Sequence, residues 1–163
     1  MNNLHISLTE FRNESRVLKE TNSLIKYGIA DTVYIASLYA SNLEKEQRYS
    51  ERLILNRFKL KTRNLSKYFF MQVFKYIEFV CKVTFFYQTR AIKMVNVHSI
   101  ALLPLGVLLK YLYKAKLVYD AHELETETSG LSGARKKLAK FMEKDMIKKC
   151  DLIFVVSENI ADW

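Results

Sequence analysis

Apolar residues recur along this chain in two styles that take turns. Short β-branched and aromatic runs alternate with longer stretches in which apolar positions return every three or four residues. "NLHISLT" reads as a first strand. In the following "NESRVLKETNSLIKYG", Val17, Leu18, Thr21, Leu24 and Ile25 fall at helical spacing, with Asn13 placed to cap the amino end and Gly28 the carboxyl end. "DTVYIASL" predicts a second strand, and "RLILNRFKL" a third, near an edge of the sheet. "MVNVH" and "KLVYD" predict a fourth and a fifth, the latter apolar enough for a central place in a parallel sheet. Between them "LPLGVLLKYLYK" predicts a helix with Pro104 in its first turn, where the missing N–H does no harm. Ala134, Leu138, Phe141 and Met142 mark another amphipathic helix, ending in Lys148 and Lys149, and "DLIFVV" predicts a sixth strand, with Ser157 capping a helix after it.

Strands and helices that alternate at this length predict the α/β class: a Rossmann-like, mostly parallel sheet of about six strands with helices on both faces and right-handed crossovers. With 163 residues, half of them apolar, the chain suits one domain and one substantial core. Four glycines and one proline exclude collagen-like and linker-dominated readings. No G-x-G-x-x-G follows the first strand. The equivalent turn, "LTEFRNES", has no glycine at all, which argues against a dinucleotide cofactor on this half.

From Leu65 to about Ile92 the pattern predicts one long helix of unusual make-up. Lys67, Lys75, Glu78, Lys82, Arg90 and Lys93 project within roughly 140° of one another at the ordinary helical step. The rest of its surface is aromatic or aliphatic, including Phe69, Phe70, Phe74, Ile77, Val80, Phe85 and Phe86. Two readings stand: a core helix with a solvated stripe, or a helix that lays its apolar face into a membrane while lysines meet lipid phosphates. Base stacking on these aromatics is weaker, because such platforms normally lie on sheets or in grooves, and no nucleic-acid partner is expected. The longest uncharged run there is seven residues, against the ~20 that span a bilayer.

Charge sharpens the picture. The net charge is +9, and between Arg52 and Lys93 ten lysines and arginines face one acid, Glu78. Such a field favours an anionic partner, although a solvated basic surface is the plain alternative. Cys81 and Cys150 have no cysteine or histidine at metal-ligand spacing and read as reduced structural thiols. The amino terminus has no basic region followed by a sustained apolar run, so the expected setting is cytoplasmic.

The candidate chemistry collects where three apolar runs end: "VNVHS", "KLVYDAHE" and "DLIFVVSEN". Open parallel sheets build their ligand sites at the carboxyl ends of their strands. His122 and Glu123 follow the fifth strand, with Asp120 just before them; an imidazole there can move a proton near neutral pH, and the carboxylate can fix its tautomer or bind a sugar hydroxyl. His98 ends the fourth strand and is expected beside His122 in one crevice, the plain alternative being a strand-end histidine satisfied by backbone groups. Arg16, Lys19 and Glu20 lie near the start of the first helix, where cations and free N–H groups suit a phosphate or carboxylate, or else form a surface ion-pairing turn. "HELETE" lacks the second histidine of the zinc-protease motif, and no metal site is expected.

The segments "ESRVLKETNSLIKYG", "VNVHSIALLPLGVLLK", "KLVYDAHELETE" and "EKDMIKKCDLIFVVSENIADW" together resemble the amino-terminal, acceptor-side domain of family 4 glycosyltransferases of the GT-B type, most weakly between about Asn42 and Ile92. The resemblance implies two Rossmann-like domains around a cleft, retaining transfer without a metal, and no cofactor beyond a sugar nucleotide as co-substrate. It implies that His122 touches the transferred sugar and supports activity, that Glu123 and His98 line the same cleft, and that Arg16 and Lys19 lie near a saccharide or lipid-linked acceptor. It further implies that the basic, aromatic helix docks on the cytoplasmic face of a membrane, in surface polysaccharide synthesis. On this expectation residues 1–163 are one domain, and the donor-binding domain, which holds the nucleotide diphosphate, is absent and would come from the rest of a longer protein or a separate chain. The chain alone would then be inactive; the alternative is a non-catalytic, membrane-associated interaction module of the same fold.

Overall fold

The computed structural model describes residues 1–66, 68–121 and 144–155. They belong to two compact units, Met1–Lys93 and Met94–Trp163. Among the described residues seven strands make up a mostly parallel, Rossmann-like α/β architecture, one strand more than the sequence pattern predicts.

The first unit contains β1 (Asn2–Ile6), α1 (Ser15–Lys26), β2 (Thr32–Leu38), β3 (Glu46–Ser50), β4 (Leu53–Phe58) and α2 (Phe69–Tyr87). Its strands lie in the order β3, β4, β2, β1. β1, β2 and β4 are parallel, and β3 runs antiparallel to β4. β4 lies one strand in from the edge, near it as the pattern suggests; every one of its residues is buried, and the exposed edge itself belongs to β3. The β3 sequence, EQRYS, has no apolar alternation, because an edge strand can leave both faces wet.

Alternation along β2 and β4 sorts their side chains to two faces. Val33, Ile35, Leu53 and Leu55 pack with Phe11 and with Val17 of α1 in one cluster. Tyr34, Asn56 and Phe58, of the opposite parity, meet α2: the Tyr87 hydroxyl donates to Asn56 Oδ1 at 2.9 Å, and Phe58 stacks edge-on with Phe79. Helices thus cover both faces of this part of the sheet.

α1 ends as its sequence predicts. Gly28 has φ +69°, its N–H donates to Ile25 O, and the Ile29 N–H donates to Leu24 O, the paired bonds of a Schellman cap that favours a residue without Cβ. Its start differs. The cap residue is Glu14, not Asn13, and no side chain caps the first turn. The Thr9 hydroxyl instead donates to the Glu14 carboxylate at 2.6 Å, and the buried Arg57 guanidinium donates to the carbonyls of Glu10 and Phe11, so the glycine-free turn after β1 is braced by side chains from elsewhere.

α2 is shorter than predicted. A 3-10 turn occupies Lys61–Asn64, the helix begins only at Phe69 and closes at Tyr87, and Ile92 already opens the next strand. Ala91, at φ +48°, makes the reversal.

The second unit holds most of β5 (Ile92–Val97), then α3 (Leu103–Tyr113), β6 (Lys116–Ala121) and β7 (Leu152–Val155). β6 pairs in parallel with β5 on one side and β7 on the other, the central place its apolar sequence predicts. Gly106 lets α3 approach closely: a Cβ there would stand 2.7 Å from Leu117 Cδ1 and 3.0 Å from Val97 Cγ1. Asp151, ahead of β7, accepts from the Leu117 N–H at 2.7 Å and from Lys110 Nζ at 2.8 Å, tying the start of β7 to β6 and α3. Residues 144–147 form the last turn of the predicted helix after β6; the remainder of that helix and Ser157 lie outside the described residues.

Candidate functional site

In the second unit the register of β5 and β6 aligns Val97 with Tyr119. One position further on, His98 Nδ1 meets Asp120 Oδ2 at 3.1 Å, with side chains only 8% and 2% exposed. An ionised carboxylate can only accept, so the proton of a neutral imidazole belongs on Nδ1 and the lone pair on Nε2. Such an imidazole is fixed in direction at the strand ends. Sequence reasoning noted Asp120 only as a neighbour of His122. The missed signal is that a histidine and an aspartate sit at the carboxyl ends of consecutive parallel strands.

His122 and Glu123 lie outside the described residues, immediately after the last residue of β6. Arg16 and Lys19, in the first unit, are exposed on the opening turns of α1. The start of that helix is rich in carboxylates, since Glu14 is its cap residue and Glu10 pairs with Arg12 and Arg63. Acids there oppose the positive end of the helix as an anion site.

The first unit has its own concavity at the carboxyl ends of β1, β2 and β4. Leu8, Leu38 and Leu60, which end or follow those strands, and the α2 residues Gln72, Lys75, Tyr76 and Phe79 line a cleft of about 430 Å³, with Arg63 from the 3-10 turn. The spacing of the α2 residues, i, i+3, i+4 and i+7, puts them on one helical face. Lys75 Nζ donates to the carbonyl of Leu65 at 2.8 Å, and the Glu10 carboxylate holds Arg63. Nearby, Glu78 accepts from the backbone N–H groups of Lys61 and Thr62, at 2.8 and 2.9 Å, and pairs with Lys82 at 2.9 Å. Burial works to raise its carboxyl, but these donors prevail and pull it down to about 2.

On the other side of α2 the aromatic residues are not in the core. Phe79, Val83 and Tyr87 are buried, whereas Phe70, Phe74, Ile77, Cys81 and Phe85 form an exposed stripe, Phe70 being 73% and Phe85 67% exposed. The charged residues of the helix, expected to face solvent, turn instead onto nearby backbone: Lys75 caps carbonyls before the helix and Lys82 the carbonyl of Lys59. Arg90 stacks over Phe86, 4.3 Å from the ring centre. Cys81 and Cys150 are both free thiols; Cys81 lies on the exposed stripe, and burial pushes the Cys150 thiol up to about 11. No helix among the described residues is long and apolar enough to cross a membrane.

Comparison with known proteins gives a fold. No protein-family model matches the chain, and a search of curated proteins finds no match. Among solved structures, the chain is similar to sucrose-phosphate synthase from Thermosynechococcus elongatus, with a TM-score of 0.76 and 11% identity over 99% of this chain and 44% of that one. A second structure of sucrose-phosphate synthase from the same organism gives a TM-score of 0.70 and 12% identity over 99% of this chain and 79% of that one. The chain thus spans less than half of the first of these structures. The chain has the α/β, mostly parallel fold of one Rossmann-like GT-B half domain.

Proposed function

We propose that this chain is the acceptor-side half of a retaining glycosyltransferase that moves a sugar from a sugar nucleotide to a lipid-linked saccharide, at the cytoplasmic face of a membrane, in surface polysaccharide synthesis. The observation that carries this reading is the buried His98–Asp120 pair at the carboxyl ends of adjacent parallel strands, within a glycosyltransferase-like half fold. His122, the next residue after β6, touches the transferred sugar; Glu123 and His98 bind hydroxyls beside it, and Arg16 and Lys19 serve the acceptor. A donor-side domain, in the same polypeptide or on a separate chain, completes the cleft and supplies the cations that stabilise the departing nucleotide diphosphate, without which residues 1–163 do not turn over.

The exposed apolar stripe of α2, on a segment with ten cations and one acid, supports docking on anionic lipid. The test is transfer from sugar nucleotides to lipid-linked acceptors, measured with the chain alone and with a supplied donor half. Turnover only with the donor half, reduced at least about tenfold by His122→Ala, is the expected result. Unaltered turnover in that variant rejects the role of His122. Vesicle binding without transfer under any pairing points to a non-catalytic membrane module.

A further inference from the structure

The cleft at the carboxyl ends of β1, β2 and β4 has a composition that selects its ligand. Leu8, Leu38, Leu60 and Phe79 make its walls apolar, and two side chains of fixed positive charge, Arg63 and Lys75, enter it from the 3-10 turn and from α2. Its volume, about 430 Å³, lies within the range of small-molecule sites. A saccharide would find only Gln72 and Tyr76 beside the two cations as hydroxyl partners, the other walls being hydrocarbon, and a bare anion would leave those walls exposed to water. An apolar chain that ends in a phosphate uses both parts.

The two cations are held in place. Glu10 takes one edge of the Arg63 guanidinium, which has five N–H donors in a planar fork, and the carbonyls of Leu65 and Ser66 take two of the three N–H donors of Lys75. Each therefore keeps donor capacity while its position is set in advance, which lowers the cost of binding. Leu65 and Tyr68, beside the Lys75 contact, are exposed, so the polar end of the cleft lies next to apolar surface.

We infer that this cleft binds the phosphate end of a lipid phosphate, with Arg63 and Lys75 on the phosphate and Leu8, Leu38, Leu60 and Phe79 around the first carbons of the chain. The inference deepens the proposed function and rests on it for the identity of that lipid as the acceptor's anchor; binding itself rests on the cleft.

The experiment is calorimetric titration of the full chain with geranyl phosphate, geraniol and inorganic phosphate. Geranyl phosphate is expected to bind at least about tenfold more tightly than either of the others, or about 1.4 kcal/mol. Arg63→Gln and Lys75→Gln are each expected to weaken it by a similar factor, and Lys93→Gln to leave it unchanged. Equal affinity for geraniol would reduce the cleft to a hydrophobic slot, and equal affinity for inorganic phosphate to a plain anion site; either overturns the inference, as does insensitivity of geranyl phosphate to both variants. Flotation with anionic vesicles, run in parallel, separates the two ideas. Vesicle binding without geranyl phosphate binding removes the cleft and leaves membrane docking, and the reverse result removes membrane docking and leaves the cleft.

Discussion

His98 and Asp120 are 22 residues apart in sequence and 3.1 Å apart in space, joined through Nδ1 and Oδ2 at the carboxyl ends of β5 and β6. The carboxylate gives the imidazole one orientation and one neutral tautomer. A group that directs another is a positioning residue, and its loss should show in the partner.

In Asp120→Ala, nitrogen NMR of His98 should show the neutral ring passing from a single Nδ1-protonated form to a mixture of tautomers. On the proposed function, transfer measured with a supplied donor half should fall at least about tenfold, the equivalent of ~1.4 kcal/mol in the barrier. A tautomer unchanged by the substitution would show that backbone groups, and not Asp120, orient His98.

Glu78 should contribute a pH-dependent share of stability. Its carboxyl titrates at about 2 in the folded chain against an ordinary 4.5, because the donors from Lys61, Thr62 and Lys82 outweigh its burial. A depressed folded value means that the stabilisation is complete above pH 4.5 and disappears as the pH falls through that window toward 2. Glu78→Gln should cost about 1–2 kcal/mol at pH 7 and progressively less below pH 4 in urea unfolding. A constant difference between the two proteins across that range would contradict the assignment.

The stripe on α2 predicts an uncoupling of stability from surface binding. Phe70 and Phe74 are 73% and 56% exposed, so the double change Phe70→Ser, Phe74→Ser should leave the melting temperature nearly unaltered. Each ring is worth ~1.5–3 kcal/mol when fully removed from water, so flotation with anionic vesicles should drop at least about tenfold. Undiminished flotation would place the docking surface elsewhere.

Gly106 marks the closest approach of α3 to its strands. A methyl group there would press on Leu117 and Val97, both fully buried and without room to withdraw. Gly106→Ala should destabilise by about 1–2 kcal/mol in thermal or urea unfolding, even though alanine is the better helix former. A stabilised variant would mean that α3 can shift away at little cost.

The six strands that carry apolar runs were legible because β-branched and aromatic clusters such as "TVYIASL" and "KLVYDA" fit only buried, extended backbone. Gly28 was legible for the same local reason: a helix that must reverse at once needs a residue tolerant of positive φ. β3 was not, because its ladder depends on β4 and its own side chains need no buried face. Part of the candidate site could be read from strand-end polarity, which singled out His98. Its partner could not, since Asp120 looked like an appendage of the residues after it.

The helix from Phe69 to Tyr87 shows most plainly where local information ends. Its periodicity established that one side is charged and the rest aromatic, and with the preceding strands it determined an α/β chain with a basic middle. Which aromatic residues are buried shows only in the tertiary structure: Phe79 and Tyr87 meet the sheet and Phe70, Phe74 and Phe85 face outward, while Glu78, Lys75 and Lys82 bond to backbone at Lys61, Thr62, Leu65 and Lys59. Spacing along a chain sets the angle between side chains on one helix. The direction in which that helix is turned depends on groups far away in sequence, so it belongs to the tertiary structure alone.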